Sequence, residues 1–154
     1  MGRRGSNMLE KNVKIKRLNK DAIIPTYGSS FAAGADLYNN MGKISIKPHE
    51  TVLVKTGIAL EVPNGYAGLI YARSGLATKR GLAPANKVGV IDSDYRGEVM
   101  VALHNHTNEE KIVEANERIA QLVIAPYMKA NFEVVEELSD TIRGDGGFGS
   151  TGTK

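Results

Sequence analysis

Apolar and polar residues alternate in short runs through most of this chain: Val13/Ile15, Ile44/Ile46, Val52/Val54, Ile58/Leu60/Val62, Val99/Val101/Leu103 and Phe132/Val134. Successive side chains of an extended strand point to opposite faces, so each run predicts a strand with one buried face. Turn-forming clusters rich in Gly, Asn, Ser and Pro fall between the runs, at 27–30, 39–42, 63–65 and 105–108. Many short strands at this spacing predict an all-β fold, either an antiparallel sandwich or a jelly roll or related barrel. A chain of 154 residues holds one such core and no second.

Two segments break the strand pattern. Residues 74–80 predict a short helix, with Ser74 capping its first N–H groups and Gly81 ending it. Residues 118–124 also have helical spacing, but Leu122-Val-Ile124 favours a buried strand. Between these segments, 86–97 reads as a hairpin with a tight turn near 92–95.

The formal charge of +3 is unevenly placed. Residues 1–20 hold seven basic groups against Glu10, whereas 21–154 hold 13 basic and 16 acidic groups. The body is therefore slightly acidic and offers no general polyanion surface, so no nucleic-acid partner is expected. The basic stretch also lacks the interleaved aromatics of a single-strand binder, since none of the three Phe and six Tyr precedes Tyr27. With no cysteine, disulfides, thiolate nucleophiles and zinc-thiolate sites are excluded. No apolar run reaches the roughly 18 residues of a membrane helix or forms a secretory signal, so a cytoplasmic location is expected. Residues 1–7 are expected to be an added remnant ahead of a native start at Met8, with a β domain over 8–140 and a glycine-rich tail over 141–154.

Several segments can carry chemistry. Arg73-Ser74-Gly75 sets a guanidinium, a hydroxyl and free backbone N–H groups at a helix start, a natural place for phosphate. Taken alone, it reads first as an ordinary capped helix with a surface arginine. Asp92, Asp94 and Tyr95 sit at the predicted turn, where carboxylates can activate water or attract a metal, though Asp-Ser-Asp turns are common structural devices. The tail Gly146-Gly-Phe-Gly-Ser-Thr-Gly152 can wrap phosphates with backbone N–H groups, and Phe148 suits stacking on a base. It is not a Walker loop, because no Lys-Ser or Lys-Thr stands at the required spacing. His104 and His106 share a strand face but lack a third ligand, so they and His49 are assigned no role.

The order of the segments carries more than any one of them. Ala33-Gly-Ala-Asp-Leu-Tyr38, Ala72-Arg-Ser-Gly-Leu-Ala77, Gly89-Val-Ile-Asp-Ser-Asp-Tyr-Arg-Gly-Glu98, Arg118-Ile-Ala-Gln121 and Arg143-Gly-Asp-Gly-Gly-Phe-Gly-Ser-Thr-Gly152 resemble, in order and spacing, the five motifs of the trimeric dUTPases. The resemblance spans the chain from about Val13 onward. It implies a distorted jelly roll (β-clip) with one short helix, assembled as a homotrimer whose tails close over neighbouring sites.

The implied reaction is hydrolysis of dUTP to dUMP and pyrophosphate, which limits uracil in DNA and supplies dUMP for dTMP synthesis. By position, Asp92 becomes the general base that activates the attacking water. Asp36 becomes an indirect partner, through water, of Mg²⁺ held mainly by substrate phosphates. Arg73, Ser74, Gly75 and Gln121 match phosphate contacts from different chains, and Arg143, Gly149, Ser150 and Thr151 match those of the tail. Asn86 with the backbone of Gly89, Val90 and Ile91 would read the uracil edge, Tyr95 would exclude a ribose 2′-hydroxyl, and Phe148 would stack on the base. Ala35, Ala72 and Asn116 depart from the family pattern without removing a reactive group. The alternatives are a dCTP deaminase of the same superfamily, which would need a catalytic glutamate in the base pocket, and a non-catalytic nucleic-acid or regulatory module.

Overall fold

The computed structural model describes residues 9–149, and its elements follow the alternation closely. They are β1 (Lys14–Arg17), β2 (Thr26–Tyr27), β3 (Ala35–Tyr38), β4 (Ile44–Ile46), β5 (Thr51–Glu61), β6 (Tyr66–Tyr71), α1 (Ser74–Arg80), β7 (Leu82–Pro84), β8 (Gly89–Ile91), β9 (Glu98–Asn105), β10 (Lys111–Val113) and β11 (Arg118–Pro126). One sheet has the order β1-β5-β9-β7, a second β2-β3-β11-β6-β8, and β4 pairs with β10 in a small ribbon. Every pairing is antiparallel. No described helix is long and apolar enough to cross a membrane.

Both sheets turn their apolar faces into one cluster. Along β9, Val99, Val101 and Leu103 are buried while Met100, Ala102 and His104 face outward. They meet Val54, Ile58 and Leu60 of β5, and the second sheet contributes Leu37, Ile70, Ile119 and Leu122. Each fully buried aliphatic side chain contributes about 1.5–3 kcal/mol relative to exposure, and this burial, more than turn chemistry, holds the two sheets together.

The alternations at Val52/Val54 and Ile58/Leu60/Val62 belong to one strand. β5 pairs with β9 from Thr51 to Lys55, shifts register, and pairs with it again at Ala59, while Ile58–Glu61 pair with β1 on the other edge. Gly57 sits in this bulge at φ 74, and a β-carbon there would lie 2.8 Å from Cγ of Asn40. The freed N–H of Gly57 donates to Oε2 of Glu98 at 2.9 Å.

Polar groups in the core are satisfied. Asn105, fully buried, donates to the carbonyls of Ile46 (2.9 Å) and Glu109 (2.7 Å), and its Oδ1 accepts from the Thr107 N–H (2.9 Å) and hydroxyl (2.7 Å). Asn39 ties 39–42 to the turn before β11 in the same way, donating to the carbonyls of Gly42 and Glu114. Asn105→Ala strands several of these partners, each worth about 1–3 kcal/mol when buried and unpaired. The variant is expected to lose about 3 kcal/mol of stability by urea unfolding; a loss under about 1 kcal/mol would show that water replaces the amide.

Three expectations are corrected. The alternation at Phe132/Val134 forms no strand: the described residues after β11 pair with no sheet, and Phe132 and Val134 are 90% and 98% exposed. Residues 86–97 are not a hairpin, because β8 pairs with β6 and β9 with β5 and β7; the turn at 92–95 carries the chain from one sheet to the other. Ser74 does not cap α1. Arg73, in extended backbone (φ −89, ψ 130), holds the N-cap position without a side-chain cap bond, and Ser74 is the first helical residue. Gly81 ends the helix as expected, in the left-handed conformation at φ 66. Asn116, where the family pattern often has glycine, takes that conformation too, at φ 62, which asparagine tolerates better than most residues.

Candidate active site

β11 is the central strand of the five-stranded sheet, and it gathers the first group of residues. Gln121 stands opposite Asp36 of β3 on one side and Tyr71 of β6 on the other. Two residues beyond Tyr71, Arg73 turns back so that its Nε donates to Oδ1 of Asp36 at 3.1 Å. Nη1 of Arg118 approaches Oδ2 of the same carboxylate at 3.7 Å. Gln121 donates from Nε2 to the carbonyl of Ala72 at 2.8 Å, fixing the backbone just before Arg73.

One carboxylate between two guanidiniums leaves a net positive charge beside the start of α1. The first turn of α1 has no acidic residue and no side-chain cap, Ser74 and Gly75 are exposed, and open space surrounds Gly75. Arginines beside uncapped backbone N–H groups suit phosphate oxygens.

Gly34 makes room for Gln121. A β-carbon at Gly34 would lie 2.9 Å from Cδ and 3.0 Å from Cβ of Gln121, and the Cβ is fixed by the strand backbone. Gly34→Ala is expected to dislodge Gln121 from the Ala72 carbonyl and lower kcat/KM about tenfold or more on the substrate assigned below. A crystal structure of the variant with Gln121 still on Ala72 would defeat the argument.

The second group surrounds β8. Asn86, Gly89, Asp92 and Tyr95 line a cavity of about 280 Å³ with Leu53 and Ile70. Gly68 and Gly89 let β6 and β8 pack closely, since β-carbons there would lie 3.2 Å and 3.3 Å from the β-carbons of Ile91 and Ile70. Asp92 is exposed, its carbonyl accepts from the Tyr95 N–H at 3.1 Å, and the Tyr95 hydroxyl donates to the carbonyl of Glu98 at 2.8 Å. A larger concavity, about 430 Å³, includes Lys14, Glu61, Asp94 and Arg96. There Glu61 is already shared between Lys14 (3.6 Å) and Arg96 (3.5 Å), and the smaller cavity, with its apolar wall and few convergent polar groups, is the better ligand site.

Within one chain Asp92 lies apart from the first group. Gly89 stands opposite Ile70 and Ile91 opposite Gly68, so β8 runs away from Arg73. The level of Asp92 is then about four residues of β6, on the order of 13 Å, from Tyr71, with Arg73 farther still.

The third group lies on the arm after β11. Arg143 donates from Nε to the carbonyl of Gly146 at 2.5 Å, whereas Phe148 and Gly149 are exposed. Ser150 and Thr151 lie outside the described residues.

His104 and His106 touch edge to face with ring centroids 4.6 Å apart, and His104 Nδ1 shares a hydrogen bond with the Thr51 hydroxyl at 2.8 Å. Partial desolvation, then the neighbouring His106, His49 and Lys87, lower the His104 pKa. Among the described residues no group of three or more His, Asp or Glu could hold a metal ion. Sequence reasoning overlooked Arg118 as the second cation on Asp36; its place opposite Tyr38 follows from a register shift in β11 that no local pattern encodes.

Known proteins with this fold and these motifs agree on one family. A dUTPase family model matches residues 20–152. The deoxyuridine 5'-triphosphate nucleotidohydrolase of Nautilia profundicola is 54% identical, over 91% of this chain and 98% of that protein. Its counterpart in Hydrogenobaculum sp. is 51% identical over 91% and 97%. A variant dUTPase of Staphylococcus bacteriophage 80alpha, solved with dUpNHpp, superposes with a TM-score of 0.84 at 29% identity, over 93% of this chain and 99% of its own. With family model, relatives and fold in accord over nearly its whole length, this chain belongs to the dUTPase family.

Proposed function

We propose that this dUTPase-family hydrolase cleaves dUTP to dUMP and pyrophosphate in sites built between copies of a jelly-roll homotrimer. The observation that carries the reading is the division of the site: Arg73 lies beyond the Tyr71 end of β6, whereas Asp92, which follows β8, lies toward its Tyr66 end in the same chain. A neighbouring copy would bring the complementary half to each. The arm after β11 supports the same assembly, because Met128, Phe132, Val134 and Leu138 are each at least 87% exposed in the single chain. So much apolar surface needs a partner.

In this reading Asp92 accepts a proton from a water whose oxygen bonds to the α-phosphorus. The bond from that phosphorus to the bridging oxygen breaks, and pyrophosphate leaves with the electron pair. Arg73, the N–H groups of Ser74 and Gly75, and Gln121 hold the phosphate oxygens, with Arg143, Gly149, Ser150 and Thr151 closing from the tail. Asn86 and the backbone of Gly89, Val90 and Ile91 pair with the uracil edge, where cytosine leaves buried groups unpaired, a penalty that can reach about 10⁴-fold. Tyr95 packs on the deoxyribose and Phe148 on the base.

The donor set fits Mg²⁺ carried by the triphosphate: the described residues form no carboxylate cage, and this ion takes few protein oxygens while keeping its waters. When bound it would neutralise phosphate charge, with Asp36 meeting it only through water.

Pyrophosphate release from dUTP, dCTP, dTTP and UTP, with ammonia measured in parallel, tests the reading. Selective pyrophosphate production from dUTP is expected. Ammonia from dCTP would instead identify the deaminase, although Glu98, the glutamate lining the cavity, has Oε2 engaged by the Gly57 N–H.

A further inference from the structure

Gly97 lies between the 92–95 turn and β9, and its backbone is not in the left-handed region. Conformational freedom is therefore not what glycine supplies there. A β-carbon at Gly97 would lie 2.5 Å from the hydroxyl oxygen of Tyr95, 2.7 Å from Cζ and 3.0 Å from Cε2. Those atoms belong to a ring that is rigid in itself and can yield only by turning as a whole about χ1 and χ2. The hydroxyl is anchored on the Glu98 carbonyl at 2.8 Å, and Glu98 is held through its carboxylate by Gly57 in the β5 bulge at 2.9 Å. The turn beneath the ring is closed by the Tyr95 N–H on the Asp92 carbonyl at 3.1 Å. The ring is thus seated over the bare Cα of Gly97. A β-carbon at 97 meets the ring in that seat and can be accommodated only by turning it away from its bond to Glu98.

We propose that Gly97 is a specificity-determining position, which by lacking a side chain fixes how close the Tyr95 ring lies to the sugar and so refuses a ribose 2′-hydroxyl. The inference rests on the reading that Tyr95 packs against the deoxyribose. It adds that the discriminating wall is set two residues away, by a steric vacancy and by the bulge of β5 acting through Glu98. Gly97 is a positioning residue and touches no substrate itself.

The test is kcat/KM for dUTP and for UTP, measured on the full chain for wild type, Gly97→Ala, Tyr95→Phe, Tyr95→Ala and the double variant Tyr95→Ala/Gly97→Ala. Gly97→Ala is expected to lower the dUTP:UTP ratio about tenfold or more, mainly by lowering the KM for UTP. Tyr95→Phe keeps the ring but loses its anchor, so a smaller fall of about threefold is expected. The double variant is expected to match Tyr95→Ala, because without the ring a β-carbon has nothing to displace. A wild-type ratio in Gly97→Ala would overturn the inference, as would a double variant less selective than Tyr95→Ala. If Gly97→Ala does not fold, recovery of folded protein in the double variant supports the steric conflict, and continued misfolding overturns it. A wild-type enzyme that turns over dUTP and UTP equally would instead remove the deoxyribose role of Tyr95, and the inference with it.

Discussion

Asp92→Asn is expected to lower kcat for dUTP hydrolysis by about two to four orders of magnitude while KM changes no more than a few-fold. The amide matches the carboxylate in shape and can still orient a water, but it cannot take the proton that water must lose. The fold gives little reason for a stability change, since the Asp92 side chain is exposed and the turn is closed by its backbone carbonyl. Steady-state kinetics with dUTP, together with direct binding of the nucleotide to the variant, separate the two quantities. Turnover within a few-fold of wild type would remove Asp92 as the base.

Truncation after Asp140 should leave the melting temperature and the oligomeric state unchanged while reducing kcat/KM for dUTP about 100-fold or more. Among the described residues, the bonds of this segment are local: Gly144 N–H to the Thr141 hydroxyl at 3.0 Å, and Arg143 to Gly146. None of the core side chains comes from it. Deleting it removes no packing, but it removes Arg143 and Phe148 and the segment beyond. Unchanged turnover by the truncated chain would show that the site is complete without the tail. A lowered melting temperature would show that the segment packs on the body after all.

What could be read from the sequence was what is encoded within about ten residues. The alternation along 99–103 placed β9 and its buried face correctly, because an eight-residue strand with one face in the core leaves its period directly in the residues. Gly81 marked the end of α1 because only a residue tolerant of positive φ can stop a helix that way. The sheet-to-sheet crossing at 92–95 was not legible: a turn between two strands has the same local chemistry whether those strands pair with each other or with different neighbours. Nor was the bulge legible as a single strand, since Gly57 in an otherwise continuous run looks like a boundary. Phe132 and Val134 carried a genuine alternation, but alternation states only that one face seeks burial and is silent on which chain provides it. The site residues were placed by family resemblance; the structure added their grouping, above all the two arginines on Asp36.

The position of β11 has a consequence for how the molecule is made. β3 and β6 are not neighbours; each is hydrogen-bonded to β11, which lies between them and is the last of the described strands. A polypeptide emerging from the ribosome therefore carries Asp36 and Arg73 long before anything can align them. Until residues 118–126 slot into the gap, two open strand edges await a partner, the circumstance in which half-made β proteins associate wrongly. Assembly of the Asp36–Arg73–Arg118 cluster is thus tied to the synthesis of β11, and a chain cut short before that strand has nothing to hold β3 beside β6.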